Sequence, residues 1–216
     1  PQRRRRSAIV CLTLALMCLL ALPASAITPT YSNMTPAFRN SRYYLNLKVL
    51  ELTGDERTDI VMVAMSQLGY HEGDSAKDFD GMNKNGSSNY IEYARLLVPH
   101  YNDNAYEWCA CFVNWCLNQA RYDKASSEIG CWKWVGELKT MKMWQDSAAY
   151  KGTYTPKPAD MIFFNWDGKN TGSGHIGYVL YTTETHVYTI EGNTSSASGL
   201  ESNGGGVYFK NYSLTS

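Results

Sequence analysis

Breaking an amide at a cysteine requires a sulfur that can lose its proton, a base to take that proton, and a group that holds the base in place. The segment Tyr106-Glu107-Trp108-Cys109-Ala110-Cys111-Phe112-Val113-Asn114-Trp115-Cys116-Leu117 offers the first of these. If a helix begins near Cys109, its first-turn NH groups and its dipole favour a thiolate there. Phe112, Val113, Cys116 and Leu117 continue the Cys109 face at steps of three and four. The face that buries the helix therefore also pins the sulfur at its rim. Cys111 lies roughly 200° around the helix from Cys109, which separates the two thiols. Cys116 shares the face two turns deeper, where packing suits it. On this segment alone, a buried structural cysteine is an equal reading of Cys109. A four-cysteine metal site with Cys131 is the poorer one, because the spacing C-x-C-x4-C-x14-C lacks the paired C-x-x-C of zinc ribbons.

The chain has four histidines, His71, His100, His175 and His186. His71 and His100 fall in polar or Pro-bounded loops and are expected in solvent. His186 opens a strand in alternation with Tyr188 and Ile190, which predicts packing. His175 follows Gly172-Ser173-Gly174 and opens the strand Ile176-Gly177-Tyr178-Val179-Leu180. Alternation places His175, Gly177 and Val179 on one face, and Gly177 leaves room beside the imidazole for substrate or a partner side chain. An orienting group is offered by Glu191 or Asn193, at the end of His186-Val187-Tyr188-Thr189-Ile190-Glu191-Gly192-Asn193. Period two aims both at one face if the strand stays extended.

These residues need a helix and a sheet to bring them together, and the order of elements supplies both. Residues 27–41 are polar and Pro-containing, and Tyr43–Leu52 is ambiguous between strand and helix. Residues 27–54 are therefore read as a leader segment and 55–216 as the catalytic domain. Helices are expected from Asp55 to Leu68, with Gly69 as a stop, and over Asn89–Leu97, Trp108–Ala120 and Lys133–Asp146. Strands are expected at Met161–Phe164, Ile176–Thr182, His186–Ile190 and Gly206–Tyr212. Helices first and strands second predict an α+β domain, N-terminal helices packed on a C-terminal antiparallel sheet.

At 216 residues, 44% hydrophobic and 13% aromatic, the chain can bury one sizeable core. Arg3–Arg6, the apolar run Ala8–Leu22 and Ala24-Ser25-Ala26 read as a signal peptide over residues 1–26. The apolar run is 15 residues, short of the roughly 20 that a spanning helix needs. The rest of the chain is acidic by four charges and has no basic stripe, which excludes nucleic acid as a partner. Secretion is expected, with no stable membrane association after signal removal, and a monomer.

The pieces in this order resemble the CHAP family, the cysteine, histidine-dependent amidohydrolase/peptidase domains of the papain-like NlpC/P60 superfamily. Three blocks carry the resemblance: Trp108-Cys109-Ala110 with Phe112-Val113 and Trp115-Cys116; Pro158-Ala159-Asp160-Met161-Ile162-Phe163-Phe164; and Gly174-His175-Ile176-Gly177 with Ile190-Glu191-Gly192-Asn193. The resemblance implies a papain-like fold with Cys109 as nucleophile, His175 as base and Glu191 as orienter, Asn193 standing beside them. Pro158-Ala159-Asp160 departs from the usual Pro-Gly-Asp, which should alter turn geometry rather than chemistry. Tyr178 replaces a commoner aliphatic residue and is expected in the cleft. Trp108, Trp166 and Tyr178, with Trp115, are the candidates for stacking on sugar rings, and core packing is the commoner expectation for such rings. Some relatives bind calcium just before the nucleophile; Asn102-Asp103-Asn104 is too short and too poor in acids for that. The Asp78, Asp80, Asn83 and Asn85 spacing is not an EF-hand loop. No metal and no cofactor are expected.

The implied activity is peptidoglycan hydrolysis, at the amide between muramic acid and L-alanine or at a stem or cross-bridge peptide bond. Two other readings stand beside it. One is a non-catalytic wall-binding protein on the same fold, and the other an exported papain-like protease or transpeptidase acting on proteins.

Overall fold

Thr35 and Ser41 each turn a side-chain oxygen onto the backbone NH three residues ahead, at Phe38 and Tyr44 (3.1 and 3.3 Å). Each thereby caps a short helix, α1 (Pro36–Arg39) and α2 (Arg42–Lys48). Asp55 does the same for α3 (Glu56–Ser66), accepting from Thr58 at 2.8 Å. Gly69, at φ 81°, follows its end in the left-handed region that glycine tolerates. The remaining helices are α4 (Ala94–Leu97), α5 (Cys109–Gln119) and α6 (Cys131–Thr140). Strands β1 (Met161–Phe164), β2 (His175–Thr182), β3 (His186–Thr194) and β4 (Gly206–Ser213) form one antiparallel sheet in the order β1-β2-β3-β4. The expected α+β order is what the chain adopts. The computed structural model describes residues 34–75, 86–97, 106–122, 128–145, 154–165, 174–197 and 203–214. The segment read as a signal peptide, His100, and Asp78, Asp80, Asn83 and Asn85 lie outside them. No helix among the described residues is long and apolar enough to cross a membrane.

Two expectations need correction. Residues 34–50 are not a leader onto the fold but part of it, since Phe38, Tyr43 and Leu47 are fully buried in the core. A buried carboxylate, Glu92, fastens this segment by accepting from the Thr35 NH (3.1 Å) and hydroxyl (2.8 Å). The helix expected from Asn89 begins only at Ala94, because Tyr90 pairs with Gly73 in an isolated antiparallel bridge.

Helix α5 is the axis of the molecule. It is buried from Cys109 through Leu117, with β2 and β3 on one side and α3 and α4 on another. Its apolar face is therefore not a single stripe, as the spacing suggested, but nearly the whole circumference. Trp115 sits 6.4 Å from Phe38 and 5.0 Å from Tyr93, and Phe112 sits 5.4 Å from Tyr93. Aromatic pairs of this kind add about 0.5–1.5 kcal/mol each beyond the area they bury. From the sheet side, the Tyr178 hydroxyl donates to the Val113 carbonyl at 2.8 Å. A helix gripped in this way presents its first residue in a fixed place.

Candidate active site

Helix α5 begins at Cys109, and no side chain caps its N-terminus. The residue before it is anchored: the Trp108 indole NH donates to the buried Glu72 carboxylate at 2.7 Å. Strand β3 runs directly over this first turn at Gly192, where a Cβ would stand 2.6 Å from Phe112 Cβ and 2.8 Å from the Trp108 ring. Only a residue without a side chain lets the strand approach so closely.

His175 starts β2, opposite Phe164 of β1, whose ring lies 5.9 Å from the imidazole. Its Nε2 donates to Glu191 Oε2 at 3.0 Å, with both side chains about 1% exposed. Gly177 makes this possible, because a Cβ there would fall 2.4 Å from Glu191 Cγ. The room beside the imidazole is thus filled by the partner carboxylate. Two further donors hold Glu191: the Thr189 hydroxyl bonds Oε1, and the Tyr212 hydroxyl bonds Oε2 at 3.0 Å. The Cys109 thiol lies close enough to the imidazole for each to act on the other's titration. The structure therefore hydrogen-bonds His175 to Glu191 and brings Cys109 near the same imidazole.

Burial by itself would lower the basicity of His175. The neighbouring Cys109 and Glu191 overturn that and push its pKa up from 6.5 to about 9. The sulfur feels opposed forces. Its hydrogen bond with Cys131 and its burial push the Cys109 thiol up, and His175 pulls it down. The helix N-terminus was expected to leave a thiolate; instead burial and a second thiol oppose it. Cys109 Sγ lies 3.5 Å from Cys131 Sγ, and the four cysteines of the described residues are all free thiols.

Other expected site residues fall elsewhere. Trp108 and Tyr178 are 0% exposed, so neither ring can stack on a sugar: Trp108 is held by Glu72 and Tyr178 by the helix it packs on. Asn193 is near in sequence but does not orient His175. Its φ of 59° and the register shift between Glu191 and Thr194 break the period-two alternation on which that expectation rested. Its amide is buried and makes no hydrogen bond among the described residues. Trp166 lies outside the described residues. Cys111 and Cys116 are packing residues, as their positions on the helix implied, and burial pushes Cys111 to about 12. His71 does not float in a loop but forms a bridge with Gly206, whereas His186 packs near the Tyr188 ring as expected.

Thr189, Tyr212 and Cys131 were not foreseen as parts of the site. Thr189 was legible, being two residues from Glu191 on the same strand face. Tyr212 and Cys131 reach the site only through tertiary structure, across the β3–β4 pairing and from the start of α6. No group of three or more His, Cys, Asp or Glu placed to hold a metal ion occurs among the described residues.

No curated protein and no solved structure matches the chain. The stretch that brings the sulfur, the imidazole and the carboxylate together does have a counterpart: residues 101–193 match the family model of the CHAP domain.

Proposed function

We propose that the chain is a peptidoglycan hydrolase that cleaves an amide bond through a thioester on Cys109. The observation that carries this reading is the buried imidazole of His175, bonded to Glu191 and electrostatically coupled to a thiol at the head of a buried helix. The family's chemistry, cysteine- and histidine-dependent amidohydrolysis or peptidolysis of the cell wall, fits that line of groups.

With Nε2 committed to Glu191, Nδ1 is the nitrogen left to serve the sulfur. The thiol proton passes to the imidazole, and the sulfur attacks the amide carbonyl. The Cys109 backbone NH, at a helix start that no side chain caps, is the natural donor to the oxyanion. The imidazolium then protonates the leaving amine, and His175 activates a water to release the acyl group. Glu191 holds the ring in one tautomer and stabilises its charge throughout. The scissile bond is either the muramoyl–L-alanine amide or a stem or cross-bridge peptide bond, and both use the same three residues. Export by the N-terminal 26 residues and action at the wall as a monomer complete the reading.

The test is digestion of purified peptidoglycan by the protein, with mass spectrometry of the released fragments. A muramic acid freed of its peptide identifies an amidase, and a cut stem or bridge an endopeptidase. Undiminished digestion by Cys109→Ala removes the nucleophile assignment. Cleavage of casein with peptidoglycan left intact moves the substrate to proteins.

A further inference from the structure

Nothing in the proposed mechanism uses Cys131, yet its sulfur is the nearest thiol to the nucleophile, at 3.5 Å. The two cysteines hold equivalent places: each is the first residue of its helix, and neither helix start has a side-chain cap. Cys109 is 3% exposed and Cys131 8%. A disulfide needs a separation of about 2.0 Å between sulfurs, so a closure of about 1.5 Å converts contact into bond. Cys111 lies about 200° around the helix from Cys109, and Cys116 two turns along it.

We infer that Cys109 and Cys131 form a reversible intramolecular disulfide on exposure to a hydroperoxide, an oxidative modification site that switches the hydrolase off. The inference that activity is lost rests on the proposed role of Cys109; formation of the bond does not. In the first step the Cys109 thiolate attacks the terminal oxygen of the hydroperoxide. An S–O bond forms, the O–O bond breaks, and the alkoxide takes a proton from the His175 imidazolium and leaves as an alcohol. In the second step the Cys131 sulfur attacks the sulfur of the sulfenic acid. The S–S bond forms, the S–O bond breaks, and the departing hydroxide leaves as water with the Cys131 proton. Two thiols are oxidised by two electrons and one hydroperoxide is reduced. Because Cys131 stands in contact, it intercepts the sulfenic acid before further oxidation to the irreversible sulfinic acid.

The experiment treats the full chain with tert-butyl hydroperoxide, blocks remaining thiols with N-ethylmaleimide, and maps unreduced peptides by mass spectrometry. Peptidoglycan hydrolysis is followed in parallel. The expected result is a peptide pair joined through Cys109 and Cys131, loss of hydrolysis in proportion to the joined fraction, and recovery of both on adding dithiothreitol. Cys131→Ser should lose hydrolysis under the same treatment without recovering it, each sample being compared with its own untreated activity. Absence of the joined pair from oxidised wild type overturns the inference, as does equal recovery in wild type and Cys131→Ser. A joined pair formed with hydrolysis unchanged upholds the disulfide and overturns the nucleophile assignment instead.

Discussion

The two ends of α5 hold cysteines of nearly equal burial, Cys109 at 3% exposure and Cys116 at 0%, on one face of one helix. Burial alone drives the Cys116 thiol up. At Cys109 burial acts the same way, but a neighbouring thiol adds to it and an imidazole opposes it. Those neighbours come from α6 and β2, far along the chain in both cases. What separates the proposed nucleophile from a packing cysteine here is therefore not accessibility, nor place on the helix, but which distant elements are delivered to it. Cys116 instead lies near enough to Tyr178, on the strand that opens with His175, to act electrostatically on its hydroxyl.

Substituting both cysteines should break the comparison most sharply. Cys109→Ala should lower peptidoglycan hydrolysis by on the order of 10⁴-fold with little change in melting temperature. Cys116→Ala should do the reverse, keeping the rate while losing about 1–2 kcal/mol of stability to a small cavity. Equal rate losses in the two variants would mean that the head of the helix is not special.

Glu191→Gln comes next, with a rate loss of about 10²–10⁴-fold, because the amide no longer stabilises the imidazolium. Its pH dependence has a definite sign. His175 is raised in the folded protein from 6.5 to about 9. The stability this contributes is complete below about pH 6.5 and is lost as pH rises through about 9. The melting-temperature gap between wild type and Glu191→Gln should thus be widest near pH 6 and should close by about pH 10. A gap that grows with pH would contradict the imidazolium. Hydrolysis itself should fall above about pH 9, as the imidazolium that protonates the leaving amine is lost.

A smaller effect is expected at Tyr212→Phe, which removes one of the donors to the Glu191 carboxylate. Denaturant unfolding should show a loss of about 1–2 kcal/mol. No change would mean that Thr189 and His175 suffice to hold Glu191. The smallest effect belongs to a position remote from both ends of α5. Ala159 sits at φ 66°, a conformation that costs a residue with a Cβ about 1–2 kcal/mol. Ala159→Gly should raise the melting temperature by a few degrees, equivalent to about 0.5–1 kcal/mol, and leave the rate alone. A lowered melting temperature would show that the turn is not strained.

Much of this was legible in the sequence. Strand alternation placed His175 and Gly177 together, and the glycine's vacancy is filled by Glu191 as that spacing allowed. The start of α5 at Cys109 followed from the apolar steps behind it. The departure at Ala159 from the family's glycine was visible too, and the positive φ gives it a structural meaning. What stayed hidden falls into two kinds. Some signals were local and outweighed: Thr35-Pro36 and Ser41 are helix-start residues, but a polar, Pro-containing stretch reads as a leader until Phe38, Tyr43 and Leu47 are seen in the core. Others were never local. Cys131 meets Cys109 across the junction of two helices, and Tyr212 meets Glu191 across a strand pair whose register shifts between Glu191 and Thr194. Asn193 failed for the same reason, since a bulge cancels any argument from alternation.

The imidazole, the carboxylate and the phenol that holds it come from three successive neighbours in the sheet, β2, β3 and β4. Side chains in a strand reverse direction at every residue. Sliding any one of these strands by a single step would therefore turn its contribution to the opposite side and dismantle the line of hydrogen bonds. The constellation works as a vernier: it reads zero only when all three strands are aligned, so a misassembled sheet could not perform the chemistry.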